Sequence, residues 1–232
     1  MIFGKIDYLN LLPFHIFLKR SPLTSYVKKA IEFKKGVPSK LNRDLRNGRI
    51  DAAVISSVES RRSIYKKLDL GIVAKRQVKS VLVRKNSAPK LDSASASSNM
   101  LSRVLGLKGE VVIGDRALKA YINEGADRFH DMGEIWHAKT HLPFVFARFC
   151  YRKNGEFYKR LARNFLRQNV KIPGYILQSY SRSRQIRPQE IKWYLKFISY
   201  KLTAKEKKAL FVFLNRARRL KFKPEFKEAS KI

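Results

Sequence analysis

Over the first two thirds of the chain, apolar residues gather in short β-favouring runs separated by polar and glycine or proline punctuation. In the last third they recur at three- and four-residue spacing. The opening run, GKIDYLNLLPF, carries Ile6, Tyr8 and Leu9, stops at Asn10 and meets Pro13 three residues later, a strand, turn and helix entry. Asn10 therefore falls at the carboxyl end of a strand. Unpaired N–H groups converge there in open α/β sheets and ligands collect; the other reading of such an asparagine is a plain helix cap.

FHIFLKR then predicts a short amphipathic helix. The segment VKKAIEFKKGVPSKLNRDLRNGRIDAAVISS predicts a strand, a helix around Ser39 to Asn47 stopped by Gly48, and a buried strand ending in two serines. Residues 70–84 give one or two further strands with Ser80 in their midst. The serine- and alanine-rich stretch KNSAPKLDSASASSN runs straight into the helical pattern MLSRVLGL. Ser97, Ser98 and Asn99 are thus candidate N-caps over a helix end able to receive an anion. EVVIGDRALKAYI reads as strand, Gly-Asp turn and helix, and DMGEIWHAKTHLPFVFARFCYRK as turn, short helix, proline break and strong strand. From Gly155 the chain reads as helices over EFYKRLARNFLRQ, PQEIKWYLKFISYKL and AKEKKALFVFLNRARRL, followed by a mobile tail, KFKPEFKEASKI.

Strands alternating with helices predict an α/β fold of mainly parallel sheets flanked by helices. The runs VKSVLVRK and FVFARFCYRK bracket a central block of about sixty residues, as the two crossings of a hinge would. The expected division is lobe I over residues 1–84 plus 148–232, including the helical C-terminus, and lobe II over 85–147. The hinge strands are expected near 77–85 and 143–152, with a cleft between the lobes.

Composition narrows the class. A hydrophobic content of 44% in 232 residues excludes a disordered chain. No run approaches the roughly 20 apolar residues of a membrane span, and the N-terminus lacks the pattern of a secretory leader, so a cytoplasmic protein is expected. Cys150 is the single cysteine, which leaves no intramolecular disulfide and no cysteine metal cluster; inside a strand it reads as packing. The net charge of +33 invites a nucleic-acid reading. Yet successive fifty-residue blocks carry +8, +6, +1 and +10, and the last 32 residues +8, so the charge is spread and no RNA-binding or zinc-finger signature accompanies it. A solvated basic surface that favours encounter with small anions fits this distribution better.

Five motifs in order resemble the chorismate dehydratase family of the futalosine route to menaquinone: YLNLLPF at 8–14, GRIDAAVISSVE at 48–59, KSVLV at 79–83, IGDRAL at 113–118 and DMGEIWHAKTHLPFVFA at 131–147. The resemblance runs from residue 4 to about 150 and more loosely through YLKFISYKLTAKEKKALFVFL. It implies a type II periplasmic-binding-protein-like fold and conversion of chorismate to 3-[(1-carboxyvinyl)oxy]benzoate and water without a cofactor. Three features depart from the family. The chain is short, His141 stands where a glycine is usual before Leu142, Pro143 and Phe144, and Ala96 stands where an arginine is frequent.

By this resemblance Asn10 lies nearest the reacting end of the substrate and orients it through hydrogen bonds. An amide is no strong base, so a carboxylate of the substrate is expected to take the ring proton. Ser57 and Ser80 match positions facing the family's cleft, and Ser97 and Ser98 fall where a helix N-terminus meets a substrate carboxylate; local capping is the alternative for each serine. Asp115 either lines the cleft or caps the helix after it. Thr140 and His141 precede the return strand, within reach of a ligand. His137 and His141, four apart and close after His130 and Asp131, suggest a metal only superficially, because Pro143 and the lack of a zincin-type glutamate argue against it. No metal is expected. Trp136, Phe144 and Phe146 read as packing. The competing classes are a non-catalytic binder of a small anion and, less favoured, a nucleic-acid-binding protein.

Overall fold

The computed structural model describes residues 2–220; the expected mobile tail, 221–232, lies outside them. Two sheets organise the chain. β1 (Phe3–Lys5) is flanked by parallel β2 (Lys34–Lys35) and β3 (Ala52–Ser56). β8 (Phe144–Tyr151) pairs antiparallel with β3 and with β4 (Lys66–Ala74), and β9 (Ile198–Lys201) closes the edge, giving the order β2-β1-β3-β8-β4-β9. The smaller sheet holds β5 (Val81–Arg84) between β6 (Glu110–Ile113) and β7 (Phe129–Asp131), antiparallel to both.

The expectation of mainly parallel sheets is corrected by this pairing. β3 and β4 run the same way, as do β6 and β7, but in each case the strand arriving from the other sheet, β8 or β5, inserts antiparallel between them. Alternation of strands and helices reports the direction of successive strands and is blind to a strand inserted from elsewhere. The chain passes between the sheets at residues 75–80 and 141–143.

Helices cover both sheets: α1 (Leu12–Arg20), α2 (Ser25–Phe33), α3 (Pro38–Arg46), α4 (Ser57–Ser60), α5 (Ala96–Leu105), α6 (Gly114–Glu124), α7 (Met132–Thr140), α8 (Gly155–Leu166), α9 (Gly174–Arg184), α10 (Pro188–Leu195) and α11 (Ala204–Arg219). Three local expectations change. The strand expected in VKKAIEFKK is mostly α2, started by Thr24, whose hydroxyl accepts the Val27 N–H, with Val27 and Ile31 turned to the core; only Lys34 and Lys35 pair as strand. PQEIKWYLKFISYKL is α10 followed by β9, because its second half completes the exposed edge of β4. The cap of α5 is Ser95, whose hydroxyl accepts the Ser98 N–H, one turn before the candidates Ser98 and Asn99.

The aromatic residues read as packing do pack. Trp136 is fully buried, donates its indole N–H to the Pro143 carbonyl and meets Phe144 and Phe213 edge to face. Cys150 is fully buried in β8, and burial pushes its thiol up to about 12, which keeps it in the unreactive protonated form. Among the described residues no helix is long and apolar enough to cross a membrane.

Candidate active site

β1, β3 and β4 all end at one edge of the large sheet, and the start of β5 and end of β6 form the facing edge of the small one. The topology thereby brings Asn10, Ser57, Ser80 and Asp115, scattered over more than a hundred positions of sequence, to the junction of the two sheets.

Asn10 sits in the 3-10 turn Leu9–Leu11 that joins β1 to α1. It is not the cap of α1: the cap position is Leu11 and no side chain caps that helix. The turn is held from both sides. Tyr200 on β9 donates its hydroxyl to the Asn10 carbonyl at 2.7 Å, and the Leu9 N–H donates to Asp115 Oδ1 at 2.9 Å from the start of α6. The Asn10 side chain is buried, and its Oδ1 has no hydrogen-bond donor. A buried amide oxygen left without a donor costs on the order of 1–3 kcal/mol. Beside it stands the buried Tyr194 hydroxyl, 2.8 Å from Ser80 Oγ. Burial lifts the Tyr194 phenol well above its ordinary range, opposed by the Ser80 hydroxyl and the Asn10 amide.

Asp115 neither caps α6 nor stands unpartnered. Besides Leu9 it receives Arg184 Nε at 3.2 Å. Arg184, on α9, also grips Asp7 through its carboxylate and its carbonyl, both at 2.9 Å, and Tyr180 donates to the other Asp7 oxygen at 2.9 Å. Burial raises the Asp115 carboxyl above the usual carboxylate range against the pull of Leu9 and Arg184. Asp7 shifts the other way, since Arg184 and Tyr180 outweigh its desolvation. Residues 7–9 and α9, on the large sheet, are thus clamped to α6 on the small one. Gly114 permits the close approach: its φ is +67°, and a Cβ there would stand 3.0 Å from the Tyr8 ring.

The serines form a second cluster. Ser57 spends its hydroxyl on the Val145 carbonyl at 2.5 Å, fastening α4 to the start of β8. Ser97 Oγ accepts the Val58 N–H at 3.1 Å, so the first turns of α4 and α5 meet. Ser98 pairs with the capping Ser95, their hydroxyls 2.8 Å apart. Ser57, Ser80, Ser97 and Ser98 are all buried. Thr140 and His141 are not part of this group. Thr140 Oγ1 bonds to the Trp136 carbonyl and accepts the Leu142 N–H, and His141 is the exposed left-handed residue (φ +56°) that ends α7. The rings of His137 and His141 lie 6.3 Å apart, and among the described residues no group of three or more His, Cys, Asp and Glu side chains is placed to hold a metal ion. A separate cavity of about 710 Å³ is lined by Lys75, Arg76, Gln77, Glu134, His137 and Lys196, and none of the expected site residues lines it.

Sequence reading missed Tyr194, Tyr200 and Arg184. All three come from the C-terminal helical region, where Tyr194 follows Ile191 on one helical face and reads as ordinary core.

This two-sheet frame, closed over a buried polar junction, is a periplasmic-binding-protein-like fold, and similar solved structures share it. A protein from Archaeoglobus fulgidus superimposes with a TM-score of 0.68 at 14% identity, covering 93% of this chain and 96% of its own. An alkanesulfonate-binding protein from Xanthomonas axonopodis pv. citri reaches 0.52 at 13% identity, covering 93% and 92%. The family profile described as "Menaquinone biosynthesis" matches residues 1–110 and 97–219, and the chain belongs to that family. It is 50% identical to a chorismate dehydratase of Campylobacter jejuni over 95% of this chain and 99% of the relative. A chorismate dehydratase of Thermus thermophilus is 26% identical, covering 97% of both chains.

Proposed function

We infer that this chain is an enzyme of menaquinone biosynthesis that dehydrates chorismate, a carbon–oxygen lyase working in the cytoplasm on a small dicarboxylate. Near-full-length likeness to chorismate dehydratases supports the activity. The observation that carries the site is Asn10, a buried carboxamide whose acceptor oxygen lacks a donor, held between the two sheets.

The reaction removes the ring hydroxyl and a ring hydrogen and leaves 3-[(1-carboxyvinyl)oxy]benzoate and water. Aromatisation supplies the driving force, so the protein's work is to hold the dicarboxylate in a reactive pose, exclude water and assist departure of the hydroxyl. Asn10 orients the reacting end by hydrogen bonding, with Ser80 beside it through Tyr194. The electron pair of the breaking ring C–H bond becomes the new ring π bond as the C–O bond breaks. A carboxylate of the substrate takes the proton, which serves the departing hydroxyl as water leaves. Ser57, Ser97 and Ser98 shape the opposite wall, where the first turn of α5 faces a substrate carboxylate. Thr140 and His141, spent on ending α7, have no part in this assignment. Because the junction is buried, the two lobes part about residues 75–80 and 141–143 to admit chorismate and close around it. No added cofactor is called for.

Purified protein incubated with chorismate alone tests this. The expected result is stoichiometric appearance of the aromatic enol ether, read by proton NMR. Chorismate persisting unchanged over an incubation in which the Campylobacter relative consumes it would refute the assignment.

A further inference from the structure

We propose that Tyr194 is the positioning residue that fixes which way the Asn10 carboxamide faces. The inference rests on the role given to Asn10 above and extends it to a residue on a distant helix.

A carboxamide presents a donor at one end and an acceptor at the other, and a half-turn about its terminal bond exchanges them. Something must set that choice if Asn10 is to meet its substrate with one end. Its backbone is fixed by Tyr200 and Asp115, but those contacts leave the side chain free to turn. Tyr194 is the phenol beside it. α10 carries Ile191 and Tyr194 on its inward face, and Tyr194 is only 1% exposed. Its oxygen lies 2.8 Å from Ser80 Oγ, and Ser80 is likewise 1% exposed. A phenol has one proton to give and can accept as well. If that proton goes to Ser80 Oγ, the phenol oxygen accepts from Asn10 Nδ2. Oδ1 is then left as the acceptor for the substrate's ring hydroxyl, and the Ser80 proton remains for a substrate oxygen. This assignment accounts for Asn10 Oδ1 being buried with no donor. Burial keeps the phenol protonated across the working pH range, so the relay does not invert.

The test is Tyr194→Phe, which keeps the ring and removes the oxygen. The expected result is a fall in kcat of about tenfold, the worth of one hydrogen bond, with KM within about threefold. A second readout needs no turnover. In 15N-labelled protein the Asn10 side-chain NH2 pair, assigned by its loss in Asn10→Ala, should be protected from solvent exchange in the parent. In Tyr194→Phe it should lose that protection while the backbone amide spectrum away from residues 8–12, 78–82 and 190–200 stays unchanged. A kcat within twofold of the parent, or an Asn10 pair equally protected in both proteins, would overturn the proposal. If the parent itself fails to consume chorismate, the functional reading falls and the NH2 measurement alone decides whether Tyr194 positions Asn10.

Discussion

Replacing Asn10 with alanine is expected to reduce chorismate turnover to about a thousandth of the parent rate or less, the scale set by removing one hydrogen-bonding group at a reacting centre. The turn itself is held by the Asn10 carbonyl and the Leu9 N–H, both backbone groups that alanine keeps. Asn10 Oδ1 is a buried acceptor without a donor, so its removal relieves a polar burial cost. That gain offsets the lost contact with the Tyr194 phenol, so the thermal midpoint should stay close to the parent's while turnover is lost. A variant that keeps its activity, or that loses it by unfolding, would contradict the assigned role.

Asp115→Ala should give the next largest loss, about a hundredfold in kcat/KM, as expected when a reacting group is misplaced by about 1 Å. The substitution removes the acceptor of the Leu9 N–H, one residue from Asn10, and one of the two carboxylates on Arg184. It should leave the global fold largely intact. A carboxyl whose folded-state pKa is raised contributes its linked stability below its unfolded-state pKa and loses it as the pH rises through the folded value. Asp115 joins the Leu9 N–H and Arg184, on the side of the large sheet, to the start of α6 on the small one. The expected sign in solution is a larger radius of gyration by small-angle scattering for the variant than for the parent. An unchanged radius with unchanged kcat/KM would show that this contact plays no part in closure.

What the sequence disclosed follows from what local pattern encodes. The turn at Asn10 was legible from a strand-like run, a polar residue and a proline, but not its exact geometry: β1 ends at Lys5, and Leu9–Leu11 form a 3-10 turn where the run Ile6–Leu9 reads as strand. Ser57 was legible for the same reason, at the end of a buried strand, whereas Ser80 was read within a strand and singled out only by the family resemblance. Pairing direction was not, because the insertion of β8 between β3 and β4, and of β5 between β6 and β7, depends on contacts between segments far apart in sequence. Nor was the true cap of α5, since seven small polar and alanine residues in a row, Ser93 to Asn99, offer several equivalent caps and packing chose Ser95. Arg184, Tyr194 and Tyr200 lie in helices or an edge strand whose local patterns announce only amphipathicity. Their partners, Asp115, Ser80 and Asn10, are between 69 and 190 positions away, and only the folded chain pairs them. Asp115 shows the limit most plainly: its position at the start of a helix suggests a cap, yet its carboxylate is used across the junction.

The central claim is that chorismate loses water at the junction of the two sheets beside Asn10. A crystal structure of the protein with the product 3-[(1-carboxyvinyl)oxy]benzoate tests it most directly. The product is expected enclosed between the sheets, with the Asn10 carboxamide within about 3 Å of one of its oxygen atoms or of the displaced water. Product seated instead in the basic cavity between Lys75 and Lys196, with Asn10 untouched, would contradict it.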